Sequence, residues 1–166
     1  LWNMHSHLSD LHPDVNNILG TEPVLPAVIR AGRNAMDALK RGFTSLRMTG
    51  ERDYIDIAWR DAFKAGVFVG PRIFASGKIM TATEGNAWEA PWPVAVFVDG
   101  PYEMRKAMRE NMKRGIDFVK LSSNRMEKDE IVEAIRIAHK AGLRVTADVD
   151  DPMARIAVEA GIEGIP

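Results

Sequence analysis

Two histidines near the start of the chain have the residue type and spacing of a metal site. His5 and His7 are separated by one residue, and in extended backbone the side chains of residues i and i+2 lie on the same face. Two imidazoles aimed at one point suit a divalent metal such as Zn²⁺. The alternative is a pair of structural histidines at the end of a strand, and the spacing alone leaves both open.

A lysine and an aspartate at the ends of two later apolar segments are the next candidates for catalysis or metal binding. Lys120 follows Phe118 and Val119, and a lysine inside an apolar strand is costly unless it has a partner or has lost its charge. Such a lysine is a modified, metal-bridging ligand or a base with a lowered pKa. The alternative is a lysine at the strand tip whose amine reaches solvent. Asp148 ends the later segment and is a candidate oxygen ligand or base.

Three further side chains are candidates for substrate binding. Arg47 ends the second predicted strand, where it could contact an anionic group. Trp88 and Trp92 lie in the long connection Gly77–Asp99, and loops at the catalytic face of an enzyme often bind substrate. The alternative is that the two tryptophans anchor this connection to the rest of the fold.

The elements that must position these residues are marked by a repeated pattern of a charged residue, a helix former, a glycine and an apolar residue. Glycine just after a helix end adopts the left-handed conformation at little steric cost. Amphipathic segments precede each glycine and short apolar segments follow it, which predicts helices alternating with parallel strands. The glycines are Gly42, Gly66, Gly115, Gly142 and Gly161. The predicted strands are one around Met4, then Thr44–Met48, Pro71–Ala75, Asp117–Leu121, Arg144–Val149 and the start of a sixth at Gly164–Pro166.

This order predicts an α/β fold of parallel (β/α) units. A doubly wound sheet usually carries a glycine-rich phosphate loop after its first strand, and the segment Met4–Leu8 contains no glycine. We therefore predict a TIM-like barrel that is incomplete, with about five of eight units, because a closed barrel needs roughly 200 to 250 residues. Residues 1–166 are predicted to form a single domain.

Composition and charge argue against several classes of partner. Apolar residues make up 46% of the 166 residues and charged residues 27%, as in ordinary globular proteins. The 22 Lys+Arg and 23 Asp+Glu give a net charge of -1, which predicts no nucleic-acid or anionic-membrane partner. The absence of cysteine excludes disulfides and thiolate metal sites. The sequence runs from Leu1 to Pro166, and we expect it to be part of a longer parent or an engineered piece.

Several segments, in the same order along the chain, resemble the amidohydrolase superfamily in its prolidase-like and imidazolonepropionase-like branch. The resemblance spans nearly the whole chain, which makes it more specific than any single motif. It rests on the His-x-His segment Asn3–Leu8, the strand-two segment Gly42–Arg47, the strand-three segment Gly70–Gly77, the strand-four segment Asp117–Lys120, and Ala138–Gly142 followed by Val145–Ala147.

The resemblance implies a barrel that holds one or two divalent metal ions, Zn or another, and activates water against amide-type bonds. Carried over by position, His5 and His7 are metal ligands and Lys120 is a carbamate bridge. Asp148 stands where the family has a histidine, and a carboxylate can also bind zinc. The family's strand-six histidine and strand-eight catalytic aspartate would lie beyond Pro166, so we expect compromised activity in this chain.

Three functions are consistent with these residues. The first is a metal-dependent hydrolase of amide or peptide-like C–N bonds, acting on a small molecule or a short peptide-like substrate. The second is a non-catalytic partial barrel, structural or engineered, that forms a homo-oligomer through its open sheet. The third is a doubly wound sheet that binds an anionic small molecule at helix N-termini, with help from Arg47 and Arg72.

Overall fold

Short parallel strands alternate with amphipathic helices along the whole chain. The computed structural model describes residues 1–9, 22–85 and 94–165. A 3-10 turn, Arg52–Tyr54, precedes the second helix. In chain order the elements are β1 Trp2–Ser6, α1 Val24–Lys40, β2 Ser45–Met48, α2 Ile55–Lys64, β3 Arg72–Phe74, β4 Ile79–Thr81, β5 Ala95–Phe97, α3 Gly100–Arg114, β6 Phe118–Ser122, α4 Lys128–Lys140, β7 Arg144–Asp148 and α5 Met153–Glu159.

The strands form two parallel sheets, as predicted. One sheet has the order β1-β2-β3 and the other the order β5-β4-β6-β7. Every strand pair within them is parallel. A further parallel bridge joins Thr146 of β7 to Gly164, in the segment predicted to begin a sixth strand. The carboxyl ends of β1, β2, β6 and β7 therefore carry the candidate residues.

One pair of residues, Asp117 and Ala75, joins the two sheets. The Asp117 backbone N–H donates to the Ala75 carbonyl at 2.7 Å. The Asp117 carboxylate accepts from the Ala75 backbone N–H at 2.8 Å and from Arg60 Nη1 at 3.0 Å. The aspartate side chain thus supplies the rung that a strand backbone supplies elsewhere. We refer to this pair as the seam.

The segment Gly77–Asp99, predicted as one long connection, contains two short strands. β4 and β5 are three residues each and pair with one another in parallel register. At its other edge β4 pairs with the end of β6, through Met80 with Leu121 and Thr81 with Ser122. The prediction of a connection is wrong at both ends of this segment, because strands this short lack the alternation by which strands are recognised.

The core lies between the sheets and the helices and is built largely from small and β-branched residues. The helix face formed by Ala27, Ala31 and Ala35 is fully buried. Gly32 on the same helix leaves room for the ring of Trp59, since a Cβ there would lie 1.8 Å from it. The Trp59 indole N–H donates to the Val28 carbonyl at 2.8 Å, which fixes α2 against α1. Within the described ranges, no helix is long and apolar enough to cross a membrane.

Candidate functional site

A bulge in β1 sets the direction of the two histidines. Asn3 pairs with Leu46 and Ser6 with Met48, so three steps on β1 match two on β2. One extra residue on one strand is a β-bulge, which bends the strand and re-aims its side chains. Arg47 Nε donates to the Met4 carbonyl within the bulge at 2.6 Å. His5 lies within this bulge and His7 just after it, and their ring centroids are 5.4 Å apart with an interplanar angle of 61°.

Hydrogen bonds define the tautomer of His7. Its Nδ1 lies 2.8 Å from the Gly50 carbonyl oxygen, and because a carbonyl can only accept, Nδ1 carries the proton and donates. The lone pair is therefore on Nε2, which lies 3.3 Å from the Thr49 hydroxyl. An imidazole that donates through one nitrogen and presents a lone pair on the other is the usual form of a metal-binding histidine.

The surroundings of His5 favour its neutral form. Partial burial lowers its pKa, and the positive charge of Lys120 lowers it further, against the opposing effect of Asp148. The charges of Lys120 on β6 and Asp148 on β7 thus act on His5 of β1. A neutral imidazole is the form that binds a metal.

Lys120 is fully buried and paired. All five residues of β6 are buried, and the exposure of Lys120 is 0%. Its Nζ lies 2.6 Å from Asp148 Oδ1 at the end of β7. Burial lowers the pKa of Lys120, and the hydrogen bond and charge of Asp148 raise it. The alternative of a lysine whose amine reaches solvent is wrong, because the amine finds its counter-ion inside the fold.

The candidate substrate residues have different outcomes. Arg47 lines a cavity of about 610 Å³ on the inner face of the sheets, with its guanidinium 5.7 Å from the centroid of the Phe118 ring. Burial lowers the pKa of Arg47 and the charge of Asp148 raises it. Arg72, the other arginine considered for an anion, lines a different cavity of about 460 Å³. Trp88 and Trp92 lie outside the described residues.

Glu51, which lies close to the carboxyl ends of β1 and β2, is a residue that the sequence patterns did not reveal. Its side chain is fully buried and accepts the backbone N–H groups of Leu8 at 2.8 Å and Ser9 at 3.0 Å, as well as the Ser9 hydroxyl. The signal that could have found it is an acidic residue directly after Gly50 at the end of a strand, where a carboxylate must either bind something or cap something.

The donor types suit a divalent ion, although the ligand set is not a compact cluster of three. In the parts of the chain that the structure describes, no group of three or more His, Cys, Asp or Glu side chains could hold a metal ion. Two imidazoles, one carboxylate and one buried amine are nevertheless present at one edge of the sheets, and imidazole and carboxylate are ordinary zinc ligands. An ion here would therefore need Lys120 or Asp148 to complete its coordination, which requires their ion pair to open.

The pattern of the whole chain decides its family. The model of the amidohydrolase family matches residues 1–165. The chain belongs to the amidohydrolase family. Members of this family usually bind divalent metals. The resemblance noted from the sequence segments is thereby confirmed.

Amidohydrolase relatives of known structure share the fold closely. A Xaa-Pro dipeptidase with bound methionine in its active site is 26% identical with a TM-score of 0.83, over 99% of this chain and 47% of that one. A prolidase complexed with N-methylphosphonate-L-proline is 26% identical with a TM-score of 0.82, over 99% and 46%. Ochratoxinase from Aspergillus niger is 27% identical over 151 residues, which are 75% of this chain and 30% of that enzyme.

The chain therefore spans less than half the length of the relatives it matches. Because these relatives are TIM barrels, the parallel βα units of this amidohydrolase form a partial barrel, as predicted. The doubly wound alternative is wrong. The hydrolase relatives of this chain support a hydrolytic function at the level of the family.

Proposed function

We propose that this chain provides part of the metal centre of a hydrolase that cleaves amide or peptide-like C–N bonds. Zn or another divalent metal, as one or two ions, would be held by His5 and His7 together with Lys120 and Asp148. The observation that supports the proposal is that these four side chains, from β1 and the residue after it, β6 and β7, act on one another through ring contact, charge and an ion pair.

Each residue has a separate role in this proposal. His7 presents Nε2 because Gly50 holds Nδ1, and His5 contributes a neutral imidazole. Burial lowers the pKa of Lys120, so its amine could lose its proton and carry a carbamate once the ion pair with Asp148 opens, and Asp148 would then offer a carboxylate oxygen in place of a further imidazole. A bound divalent ion supplies a Lewis acid that polarises a carbonyl and makes hydroxide available near neutral pH.

The substrate in this proposal is a small amide or a short peptide-like molecule. The solved relatives include a Xaa-Pro dipeptidase and a prolidase with a proline-based phosphonate, which supports compact substrates with a single scissile bond. Arg47 lines the inner cavity and would contact an anionic group of the substrate. Trp88 and Trp92 stay proposed substrate contacts. Residues 1–166 are proposed to act as one domain.

Metal analysis tests the proposal directly. The purified chain would be loaded with Zn²⁺, Mn²⁺ or Co²⁺, dialysed against metal-free buffer and analysed by mass spectrometry for bound metal. We expect near-stoichiometric metal in the wild type and little in a His5→Ala, His7→Ala double variant, because two of the proposed ligands are gone. His139→Ala is the matched control, since His139 lies on α4, where it pairs with Glu163 and is not one of the proposed ligands. Retention below about a tenth of an equivalent by the wild type would contradict the proposal.

The inner face of the sheets supports a second function, self-association. The side chains of Trp2 and Met4 are 54% and 49% exposed around the inner cavity, and Trp2 stacks on Phe74 at a centroid distance of 5.4 Å. Exposed apolar side chains on the inner face of a sheet favour a covering surface. We propose a second copy of this chain as that surface, so that the partial barrel forms a homo-oligomer without needing catalysis.

Sedimentation velocity at micromolar concentration tests self-association. The wild type should sediment as a dimer or larger species, and Trp2→Asp should shift it toward monomer. Ile29→Asp is the control, because Ile29 is also apolar and exposed, at 73%, but lies on α1 and does not line the inner cavity. A wild type that sediments as a single monomeric species would rule out this function.

A further inference from the structure

We infer that Glu51 is a positioning residue for the proposed metal ligand His7, an inference that rests on the proposed function. Glu51 is fully buried, and its contacts among the described residues include the chain directly after His7. It acts on the residues next to both partners of the hydrogen bond between His7 and Gly50. Its carboxylate binds Leu8 and Ser9, directly after His7, and its backbone follows Gly50, whose carbonyl accepts from His7.

These contacts continue the β1–β2 pairing past its last backbone bridge. That bridge joins Ser6 and Met48, and Thr49 then donates its backbone N–H to the Ser6 carbonyl at 3.1 Å. The next rung is the His7 side chain on Gly50, and the rung after that is the Glu51 carboxylate on Leu8 and Ser9. Side chains therefore make the last two of these pairings. The His7 contact lies between the backbone hydrogen bond of Thr49 to Ser6 and the contacts of the Glu51 carboxylate.

Glu51 is itself fixed in place. Its backbone N–H donates to the Gly77 carbonyl at 2.9 Å, and its Oε1 accepts from the Arg52 backbone N–H at 3.1 Å. Gly50 has a φ of +127° and would place a Cβ 2.2 Å from the side chain of Ile79. Neither the residue nor its carboxylate can swing away without disturbing the loops after β2 and β3.

Loss of the carboxylate would leave two buried donors without their partner. Leu8 and Ser9 are 2% and 4% exposed, so their N–H groups cannot turn to water without moving the segment that follows His7. That movement would break the Nδ1 contact with Gly50, and His7 would lose the constraint on its tautomer. A residue that only stabilised the fold would lower the melting temperature without changing the tautomer.

The first measurement is the tautomer of His7 in the metal-free protein. Two-bond ¹H–¹⁵N spectra of histidine-labelled protein distinguish a proton on Nδ1 from one on Nε2. In the wild type we expect His7 to carry its proton on Nδ1. In Glu51→Gln we expect a mixture of tautomers, because the amide NH₂ faces N–H donors. Ser9→Ala, which removes only the hydroxyl contact to Glu51, should change the tautomer less and remains informative if Glu51→Gln fails to fold.

The second measurement is the affinity for Zn²⁺, by competition with a chromophoric chelator. Substituting a residue that orients a metal ligand typically weakens binding by about 10- to 100-fold, and we expect a loss of this size in Glu51→Gln. Glu130→Gln is the matched control. Glu130 is also buried and also accepts backbone N–H groups, those of Gly100 and Glu127, but it lies at the starts of α3 and α4.

The outcomes separate this inference from the proposed function. If the wild type binds Zn²⁺ and Glu51→Gln keeps both the tautomer and an affinity within about twofold, the positioning role is refuted and the function stands. An equal loss of affinity in Glu130→Gln would also refute it, since the effect would then be general. If the wild type binds no Zn²⁺, the proposed function fails, and the tautomer of the metal-free protein alone decides the role of Glu51.

Discussion

Removing Asp148 should destabilise the protein far more than removing the buried lysine that it pairs with. The Lys120 Nζ and Asp148 Oδ1 atoms are 2.6 Å apart, with the lysine side chain fully buried and the aspartate side chain 43% exposed. At an effective dielectric constant of about 20, charges at this distance attract by about 6 kcal/mol. Solvent at the exposed carboxylate screens roughly half of this, which leaves about 3 kcal/mol.

Asp148→Asn would leave the ammonium of Lys120 buried without its counter-ion, so we expect a loss of about 3 kcal/mol in the free energy of unfolding. In a chain of this length that corresponds to a melting temperature lower by roughly 6 to 12 °C. Lys120→Met removes the charge and keeps the volume, so we expect a change within about 1 kcal/mol in either direction. The double variant should resemble Lys120→Met, because without the lysine the loss of Asp148 leaves no buried charge without a counter-ion.

Urea denaturation of the wild type and these three variants, followed by circular dichroism, measures all four free energies. Asp37→Asn is the control, because Asp37 also pairs with a lysine, Lys40, at 2.9 Å but on an exposed helix surface, where no measurable change is expected. The reasoning is refuted if Asp148→Asn costs less than about 0.5 kcal/mol, or if Lys120→Met is the more damaging of the two single variants.

Two further predictions concern a buried carboxyl on α2 and a glycine in the loop after β2. Burial raises the pKa of Asp56 from 3.8 to about 6, against three backbone N–H contacts that lower it. A raised pKa means that this carboxyl favours folding most below pH 3.8 and that the contribution is lost as the pH rises through about 6. The stability of the wild type relative to Asp56→Asn should thus fall by up to about 3 kcal/mol across that window; urea midpoints measured through it check this, and a constant difference would contradict it. Gly50→Ala combines a φ of +127° with a Cβ placed 2.2 Å from Ile79 and should cost about 2 to 6 kcal/mol. Gly42→Ala, at a φ of +91° with nothing within 4 Å, should cost only about 1 to 2 kcal/mol; equal losses in the two variants would argue against the contact with Ile79.

Local patterns predict most of the architecture because the forces that form it are local. The glycines after the helices, such as Gly115 with a φ of +86°, end helices where the sequence places them. Apolar runs such as Phe118–Leu121 form strands wherever they follow such an end. β4 and β5 were not predicted, because three residues carry too little pattern and their pairing is decided by strands far away in the chain.

Some features of the candidate site are likewise visible in the local sequence, whereas others depend on contacts between distant parts of the chain. The i, i+2 spacing of His5 and His7 and the cost of a buried lysine are local facts, and both are visible in the sequence without knowledge of the fold. The role of Glu51 depends on contacts 42 and 43 residues away, which no pattern around it encodes. That Asp148 is the partner of Lys120 likewise follows only from the register of β6 against β7, where Ser122 is opposite Asp148.

The seam between the two sheets has a consequence for the dynamics of the site. His5 belongs to the three-stranded sheet, and Lys120 and Asp148 belong to the four-stranded sheet, so the two sheets that the seam joins carry different residues of the proposed site. Sub-global opening follows weakly joined boundaries, and the amide of Ala75, held by one carboxylate oxygen, is a local probe of it. Hydrogen exchange at the Ala75 amide therefore measures how often the seam opens between the sheet that carries His5 and the sheet that carries Lys120.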